Sequence, residues 1–231
     1  MIYAGIVAGG SGSRMGLDVP KQYVHIGDMP VLMHTVKKFT EQADRIYIAC
    51  PEKQISYTAG LAAKYVPDHA VTVIPGGKTR MESLLNILAH IKRTNGIKED
   101  DVILTHDGVR PFVTPRIIEE NLSLARRGYA CGTFLPAVDT VALSTDGKKL
   151  QKIPPRDTMY LVQTPQTFPL PALAELFAKS GDTMEQYTDL CGLALAGGVQ
   201  VRIVAGDPCN IKLTTPLDLR LAEELLKGEN T

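Results

Sequence analysis

The sequence predicts an α/β protein built on a doubly wound, mostly parallel sheet. Short apolar segments alternate along the chain with longer segments whose apolar residues recur at helical spacing, which is typical of strand–helix–strand units. The first apolar segment runs directly into a glycine-rich loop, and open α/β sheets bind ligands at the carboxyl ends of their strands. A content of 44% hydrophobic and 22% charged residues is ordinary for a chain with a folded core and excludes wholesale disorder.

The first part of the chain alternates regularly between strands and helices. Thr79 and Glu82 form a capping box for one helix, because each side chain can accept a hydrogen bond from the other's backbone amide. Thr114 followed by Pro115 marks the start of another helix. The predicted strands cover 2–7, 45–50, 71–74, 102–105 and 130–135, and the predicted helices cover 30–40, 54–66, 79–93 and 114–127.

The regular alternation breaks after the fifth strand. The segment 138–151 alternates loosely around Asp146-Gly147, a hairpin turn signal, so we predict a protruding β-hairpin arm over 137–158. It has too few apolar residues to be a domain, and we expect a single domain over residues 1–231. The remainder predicts a polar segment at 163–166, helices at 171–179 and 188–196, strands at 201–204 and 211–213, and a last helix from Thr215-Pro216 to Gly228.

Charge and cysteine usage exclude several classes of protein. Lys and Arg total 25 and Asp and Glu total 25, so no global basic field is available to hold a nucleic acid. No apolar run is long enough to cross a bilayer, and the amino-terminal segment lacks a basic residue before Arg14 and makes a poor signal peptide. Cys50, Cys131, Cys191 and Cys209 show no Cys-x-x-Cys spacing, which predicts free, mostly buried thiols in a reducing cytoplasm.

The first candidate site is the glycine-rich loop at 8–16, directly after the first strand. Its glycines let the backbone approach a phosphate closely and offer amide groups to it. Arg14 and Lys21 add two cations at the same place. The spacing matches neither a Walker A loop nor the dinucleotide-binding fingerprint. The alternative interpretation is a flexible turn with two surface cations.

A second candidate site follows the fourth strand. Asp107, at a strand tip beside Gly108, is suited to Mg²⁺, which prefers few carboxylates together with phosphate oxygens. Arg110 could hold a phosphate through two hydrogen bonds, although a surface salt bridge is the alternative. His106 is at least as well interpreted as a packed histidine, so no proton-transfer role is assigned to it.

Two weaker signals lie elsewhere. Lys212, in the predicted strand 211–213, is a cation between apolar neighbours, and taken alone it fits an ordinary solvent-facing lysine. The glycines of 76–80 precede a helix amino terminus, a place that suits an anion or the edge of a base.

Taken together, these motifs resemble the cytidylyltransferase family that activates polyol phosphates with CTP. The matching pieces run in order through almost the whole chain: 8–16, 20–22, 76–83, 106–111, 138–140, Arg156, 164–166, 188–189 and 210–212. The resemblance implies a Rossmann-like nucleotidyltransferase fold, Mg²⁺ as cofactor, CTP and a polyol phosphate as substrates, and a homodimer in which the hairpin arm crosses to the partner subunit.

The resemblance also implies residue roles. The substrate phosphate would attack the α-phosphorus of CTP and pyrophosphate would leave, with Arg14, Lys21 and Lys212 as catalytic residues. Asp107 would be the metal ligand, and Thr140 and Arg156 would serve the neighbour's site. The implied nucleotide-binding residues are Ala8, Gly9, Gly10, Gly12, Gly77, Arg80, Ser83, Asp107 and Gly108, and the implied polyol-phosphate residues are Arg110, Thr140, Arg156, Thr164 and Thr188.

Two branches of this family are close. The opening segment 1–6, the motif 105–112 and the segment 163–168 look more like the branch that activates D-ribitol 5-phosphate for teichoic acids. The alternative is the 2-C-methyl-D-erythritol 4-phosphate branch of isoprenoid synthesis, which often has Asp where this chain has Cys209. A sugar-1-phosphate nucleotidyltransferase using UTP or GTP and a nucleotide-binding module without turnover are further alternatives.

Overall fold

The computed structural model of the chain describes residues 1–10 and 19–229. The strands in these residues are β1 (Ile2–Val7), β2 (His25–Ile26), β3 (Met29–Pro30), β4 (Arg45–Cys50), β5 (Val71–Pro75), β6 (Val102–Asp107), β7 (Ala130–Pro136), β8 (Tyr160–Pro169) and β9 (Val201–Ala205). The helices are α1 (Val31–Lys37), α2 (Ile55–Tyr65), α3 (Arg80–Asn95), α4 (Pro115–Arg126), α5 (Leu170–Ser180), α6 (Leu190–Ala196) and α7 (Pro216–Glu229).

The predicted α/β fold with a mostly parallel sheet is confirmed. Within the described ranges, a seven-stranded sheet has the order β5-β4-β1-β6-β8-β7-β9, and β2 and β3 form a separate pair. Only β8 of the seven strands runs antiparallel to its neighbours. The chain builds outward from β1 through β4 to β5 and then returns to place β6 on the other side of β1. This reversal puts the crevice between β1 and β6 at the sheet's switch point, where doubly wound folds bind ligands.

Alternation along the strands divides the core into two layers. Ala4 and Ile6 of β1 pack on the side of α1, α2 and α4, whereas Tyr3 packs on the side of α3, α5 and α6. This is the consequence of successive strand side chains pointing to opposite faces. A third, smaller cluster joins Leu213 of the loop before α7 and Ala222 of α7 to Val109 and Phe112, next to the end of β6.

Strand β8 was missed by the sequence prediction, which left 163–166 as a polar segment. The strand lies in the interior of the sheet, and its register against β7 shifts between Gly132 and Thr133. Pro165 falls at this shift, and its carbonyl accepts a hydrogen bond from the Thr133 hydroxyl at 2.8 Å. An irregular register tolerates a proline that an ordinary inner strand excludes.

Two other boundary predictions are wrong. Residues 211–213 form no strand, because their backbone is held in a loop: Leu213 donates its amide to the Val109 carbonyl at 2.9 Å and Ile211 donates to Cys209 at 2.7 Å. Gly228 does not end the last helix but lies within it. The predicted starts at Thr79 and Thr114 are confirmed, since both side chains accept hydrogen bonds from the first turns of α3 and α4.

The predicted arm has a hairpin turn but little regular strand. Gly147 adopts a φ of +67° at the turn, a conformation that favours glycine. Leu143 and Lys152 form an isolated antiparallel bridge, and the rest of 137–158 is loop and a short 3₁₀ turn at Arg156–Thr158. The arm therefore depends on contacts outside itself for any stable structure.

Two further expectations concern cysteines and membranes. None of the four cysteines, all within the described residues, forms a disulfide, and three of them are buried. Among the described helices, none combines the length and the apolar character needed to cross a membrane.

Candidate active site

A cleft opens at the carboxyl ends of β1, β5 and β6, at the switch point of the sheet. Its walls are the loop after β1, the loop before α3, the tip of β6 and the loop before α7. The described residues that line it are Val7, Ala8, Gly9, Gly10, Lys21, Gln22, Gly77, Lys78, Thr79, Arg80, Ser83, Asp107, Val109 and Lys212.

The structure brings together most of the predicted site residues. Nine of them line the cleft: Ala8, Gly9, Gly10, Lys21, Gly77, Arg80, Ser83, Asp107 and Lys212. Gly108, Arg110 and Thr164 are buried next to it. Thr140, Arg156 and Thr188 are exposed and are not among the described residues of the lining. Arg14 and Gly12 lie outside the described residues. All the individual roles remain predictions.

The loop before α3 is held open by side-chain contacts with the first turn of the helix. The buried Ser83 hydroxyl accepts a hydrogen bond from the Gly77 amide at 3.0 Å and donates to the Thr79 carbonyl at 2.9 Å. A Cβ on Gly77 would lie 2.1 Å from the Cβ of Glu82, so only glycine fits there. The amino terminus of α3 consequently faces the cleft, and a helix amino terminus attracts anions.

Asp107 is the centre of a cluster of charges at the tip of β6. Its carboxylate lies 3.1 Å from Arg80 Nε, 2.9 Å from Lys212 Nζ and 3.6 Å from Arg110 Nε. Arg110 is further fixed by a hydrogen bond of 2.7 Å from its Nη1 to the Asn210 carbonyl. Three cations around one carboxylate leave an excess of two positive charges in this cluster. Such an excess suits a polyanionic ligand.

Burial and charge act in opposite directions on Asp107. Desolvation by burial would raise the pKa of the carboxyl group, but Arg80, Lys212 and Arg110 together outweigh it and hold the pKa well below its usual range. Asp107 is therefore ionised at neutral pH. The buried Nη1 and Nη2 atoms of Arg80 have no hydrogen-bond partner within the described part of the chain, so this guanidinium has unused donors next to the cleft.

Lys212 lies in a loop that hydrogen bonds hold in place, and not in the strand that its apolar neighbours predict. Asn210 is fully buried and donates through Nδ2 to Gln163 Oε1 at 3.2 Å and to the Thr164 carbonyl at 2.9 Å. Gln163 in turn donates to the Asp207 carbonyl at 2.9 Å. These contacts tie the loop to β8, so that Lys212 reaches Asp107 from the opposite wall of the cleft.

The sequence model of the IspD family, described as 2-C-methyl-D-erythritol 4-phosphate cytidylyltransferase, matches residues 2–228. The chain belongs to the IspD family. Its members are cytidylyltransferases, a class of nucleotidyltransferase.

Solved structures support the same family assignment. The 4-diphosphocytidyl-2C-methyl-D-erythritol synthase of Anaerococcus prevotii is 27% identical, with a TM-score of 0.81 and coverage of 98% of each chain. The 2-C-methyl-D-erythritol 4-phosphate cytidylyltransferase of Francisella tularensis is 29% identical, with a TM-score of 0.80, and covers 96% of this chain and 98% of its own. The Thermus thermophilus enzyme of the same name is 28% identical, with a TM-score of 0.76, and the match covers 98% of this chain and all of that one.

His106 lies behind the charge cluster and is completely buried. Its Nε2 is 3.1 Å from the Arg110 carbonyl and its Nδ1 is 2.9 Å from the Thr164 hydroxyl. Burial lowers the pKa of His106 to about 4. A histidine that is neutral and shielded from the cleft cannot exchange a proton with a substrate, which agrees with the sequence analysis in giving it no such role.

This buried histidine makes the unfolding free energy depend on pH. The unfolded chain protonates the histidine near pH 6.5 and the folded protein only near pH 4, so acid favours unfolding between these values and stability rises with pH across them. Between pH 7 and pH 4 we expect the native protein to lose about 3 kcal/mol more than His106→Asn loses. Denaturant unfolding over this range measures the difference. His25→Asn, at an exposed histidine, should follow the native protein, and parallel curves for all three proteins would contradict the prediction.

Sequence reasoning missed the residues that support the cluster from behind. Gln163 and Asn210 were noted only as parts of motifs, and Gln22, whose Nε2 donates to the Ala8 carbonyl at 2.9 Å, was given no role. A polar residue in an otherwise apolar or strand-like segment was the available signal, because such a residue is buried only when it is hydrogen-bonded.

Proposed function

We propose that this protein transfers the cytidylyl group of CTP to the phosphate of a polyol phosphate, and that 2-C-methyl-D-erythritol 4-phosphate is its acceptor. The observation that carries the proposal is the cluster of Arg80, Arg110 and Lys212 around Asp107 in a cleft of the IspD family. The acceptor follows the names of the family and of solved structures that are similar to this chain.

The reaction needs positioning and charge stabilisation more than proton transfer. An oxygen of the acceptor phosphate, already ionised, forms a bond to the α-phosphorus of CTP while the bond to the bridging oxygen of pyrophosphate breaks. The leaving pyrophosphate gains negative charge as that bond lengthens. Fixed cations aimed at this charge lower the barrier, because they need no rearrangement during the reaction.

Each cleft residue then has a defined task. Lys21, together with Arg14, neutralises the triphosphate and the leaving pyrophosphate. Lys212 leaves the Asp107 carboxylate to stabilise the α-phosphate, which its partly exposed side chain allows. The loop amides around Gly9 and Gly77 hold the nucleoside. Arg110, Thr140, Arg156 and Thr188 remain the proposed contacts of the polyol phosphate, whereas Thr164, predicted as a further contact, is buried with its hydroxyl against His106 and the Asp107 amide.

The residues of the cleft fit a magnesium ion held mainly by phosphate oxygens. The described residues contain no group of three or more His, Cys, Asp and Glu side chains placed to hold a metal by themselves. Asp107 supplies one ionised carboxylate at the cleft, which is the donor set that Mg²⁺ takes when a triphosphate provides the other ligands. Bound there, Mg²⁺ would shield the phosphate charges. The Asp207 carboxylate accepts a hydrogen bond from the Cys209 amide at 2.7 Å within the loop before α7.

D-ribitol 5-phosphate is the second candidate acceptor. Cys209, where the methylerythritol branch often has Asp, is exposed in the loop before α7. Cysteine is a poor ligand for Mg²⁺. The motifs at 105–112 and 163–168 also resemble the ribitol branch. The family match and the solved structures nevertheless favour methylerythritol phosphate, which is why it stands first.

A single assay separates these candidates. We expect pyrophosphate release from CTP and Mg²⁺ with 2-C-methyl-D-erythritol 4-phosphate at a kcat/KM at least about tenfold above that with D-ribitol 5-phosphate, which corresponds to about 1.4 kcal/mol of discrimination. The reverse order would replace the acceptor. A preference for UTP or GTP with a sugar 1-phosphate would indicate a different nucleotidyltransferase. Tight CTP binding without release of pyrophosphate from any acceptor would indicate a binding module.

The arm over 137–158 is proposed to form a homodimer. Val138, Leu150 and Ile153 are 78%, 67% and 56% exposed in the isolated chain, and the exposed end of β8 adds Tyr160 and Leu161 to the same region. Apolar surface of this extent marks an interface, and symmetric dimers are the commonest assembly.

The protein would act in the cytoplasm, where its cysteines stay reduced.

Mixing two inactive variants tests whether the arm completes the neighbour's site. Lys21→Ala and Arg156→Ala are each expected to lose activity, and mixed dimers should regain it because one of their two sites then has both residues intact. Steady-state turnover after subunit exchange gives the measurement. Proven exchange without recovered activity would contradict a shared site, and sedimentation of the native protein as a monomer at micromolar concentration would contradict the dimer.

A further inference from the structure

We infer that His106 and Thr164 are positioning residues that align Asp107 and Arg110 through a directional chain of hydrogen bonds. Asp107 donates its backbone amide to Thr164 Oγ1 at 3.2 Å, the Thr164 hydroxyl meets His106 Nδ1 at 2.9 Å, and His106 Nε2 lies 3.1 Å from the Arg110 carbonyl. The inference rests on the proposed function, because its kinetic consequence is a change in cytidylyl transfer.

The direction of the chain follows from what each end can do. A carbonyl only accepts, so His106 Nε2 must carry the proton that bonds to Arg110. In a neutral imidazole Nδ1 then accepts, and the Thr164 hydroxyl must donate to it. The same hydroxyl oxygen keeps a lone pair for the Asp107 amide. Each hydrogen bond is therefore satisfied in one arrangement of protons only.

The hydrogen-bond chain lies directly behind the charge cluster. Its two ends are the backbones of Asp107 and Arg110, whose side chains form the ion pair facing the cleft. His106, Thr164 and Arg110 are all buried, and the His106 ring packs against Phe39 with 5.0 Å between ring centroids. A side chain locked in this way sets where the carboxylate stands between Arg80 and Lys212. A misplacement of about 1 Å in such a group costs about a hundredfold in rate.

Thr164→Val removes the hydroxyl while keeping the shape of the side chain. We expect kcat to fall by at least about tenfold, with the KM for CTP almost unchanged, because the loops that hold the nucleoside do not depend on these hydrogen bonds. Thr164→Ser restores the hydroxyl and should restore kcat. Thr105→Val is the matched control: it deletes a buried hydroxyl that donates to the Gln166 carbonyl at 2.9 Å, also between β6 and β8. It should lose similar stability and keep its kcat.

Nitrogen NMR of uniformly ¹⁵N-labelled protein provides a test that needs no substrate. The native protein should show His106 as the neutral tautomer protonated at Nε2, and Thr164→Val should shift the backbone amide signal of Asp107. A tautomer protonated at Nδ1, or equal kcat in Thr164→Val and Thr105→Val, would overturn the inference. If no polyol phosphate accepts a cytidylyl group, the proposed function fails, while the tautomer and the Asp107 signal still decide the hydrogen-bond chain.

Discussion

Lys212→Ala should lower kcat/KM for cytidylyl transfer by about 10²–10³, the cost of removing one preorganised group that stabilises charge in a transition state. The lysine reaches the cleft from a loop anchored by Asn210, and its Nζ lies 2.9 Å from the Asp107 carboxylate. Because the developing charge is present only in the transition state, most of the loss should appear in kcat and little in the KM for CTP.

Two further variants make this result specific. Lys212→Arg keeps the charge but should restore activity only in part, since a planar guanidinium differs in reach and geometry from a compact ammonium. Lys179→Ala removes an exposed lysine that pairs with Glu175 on α5 and should leave turnover unchanged. Steady-state kinetics with the better acceptor compare the three variants. Near-native turnover by Lys212→Ala would remove this lysine from the catalytic residues.

Sequence periodicity predicts those strands and helices whose burial agrees with the local pattern of apolar residues. β1, β4 and β6 are short apolar segments, and helices α3 and α4 carry their own capping residues, so local pattern and final packing agree. The glycine loop and Asp107 were placed at one edge because parallel strands end together. The cleft could therefore be located from the sequence.

The support of the cleft could not be predicted in the same way. β8 buries Gln163, Thr164 and Gln166, and their partners lie far away along the chain: Gln166 Oε1, for example, accepts the Leu190 amide at 3.0 Å. A pattern of polar and apolar residues carries no information about such pairs, so the sequence predicts only a polar segment at 163–166 and no strand there. The sequence prediction placed Lys212 in a strand for the same reason. The loop that holds this lysine is fixed by the hydrogen bonds of Asn210, which the residue pattern does not show.

Asp107→Asn should lower the free energy of unfolding by about 3–5 kcal/mol, because it removes a carboxylate that compensates two largely buried arginines and Lys212. The carboxylate contacts Arg80, Arg110 and Lys212, and the two arginines are largely buried. Asparagine keeps the size of the side chain but leaves these charges without their counter-ion. Denaturant unfolding at neutral pH measures the loss, and Asp44→Asn, at an aspartate that accepts the Ile2 amide at the opposite edge of the sheet, is the control.

An anionic ligand should reverse much of this loss. Inorganic pyrophosphate, added without metal, supplies negative charge to the same cations and stabilises the folded state in proportion to its affinity for it. We expect pyrophosphate to raise the Tm of Asp107→Asn more than that of the native protein, in which the carboxylate competes for Lys212. The Asp44→Asn control should respond as the native protein does. Equal shifts in all three proteins would show that the cluster does not receive phosphate, and they would remove the charge argument for the cleft.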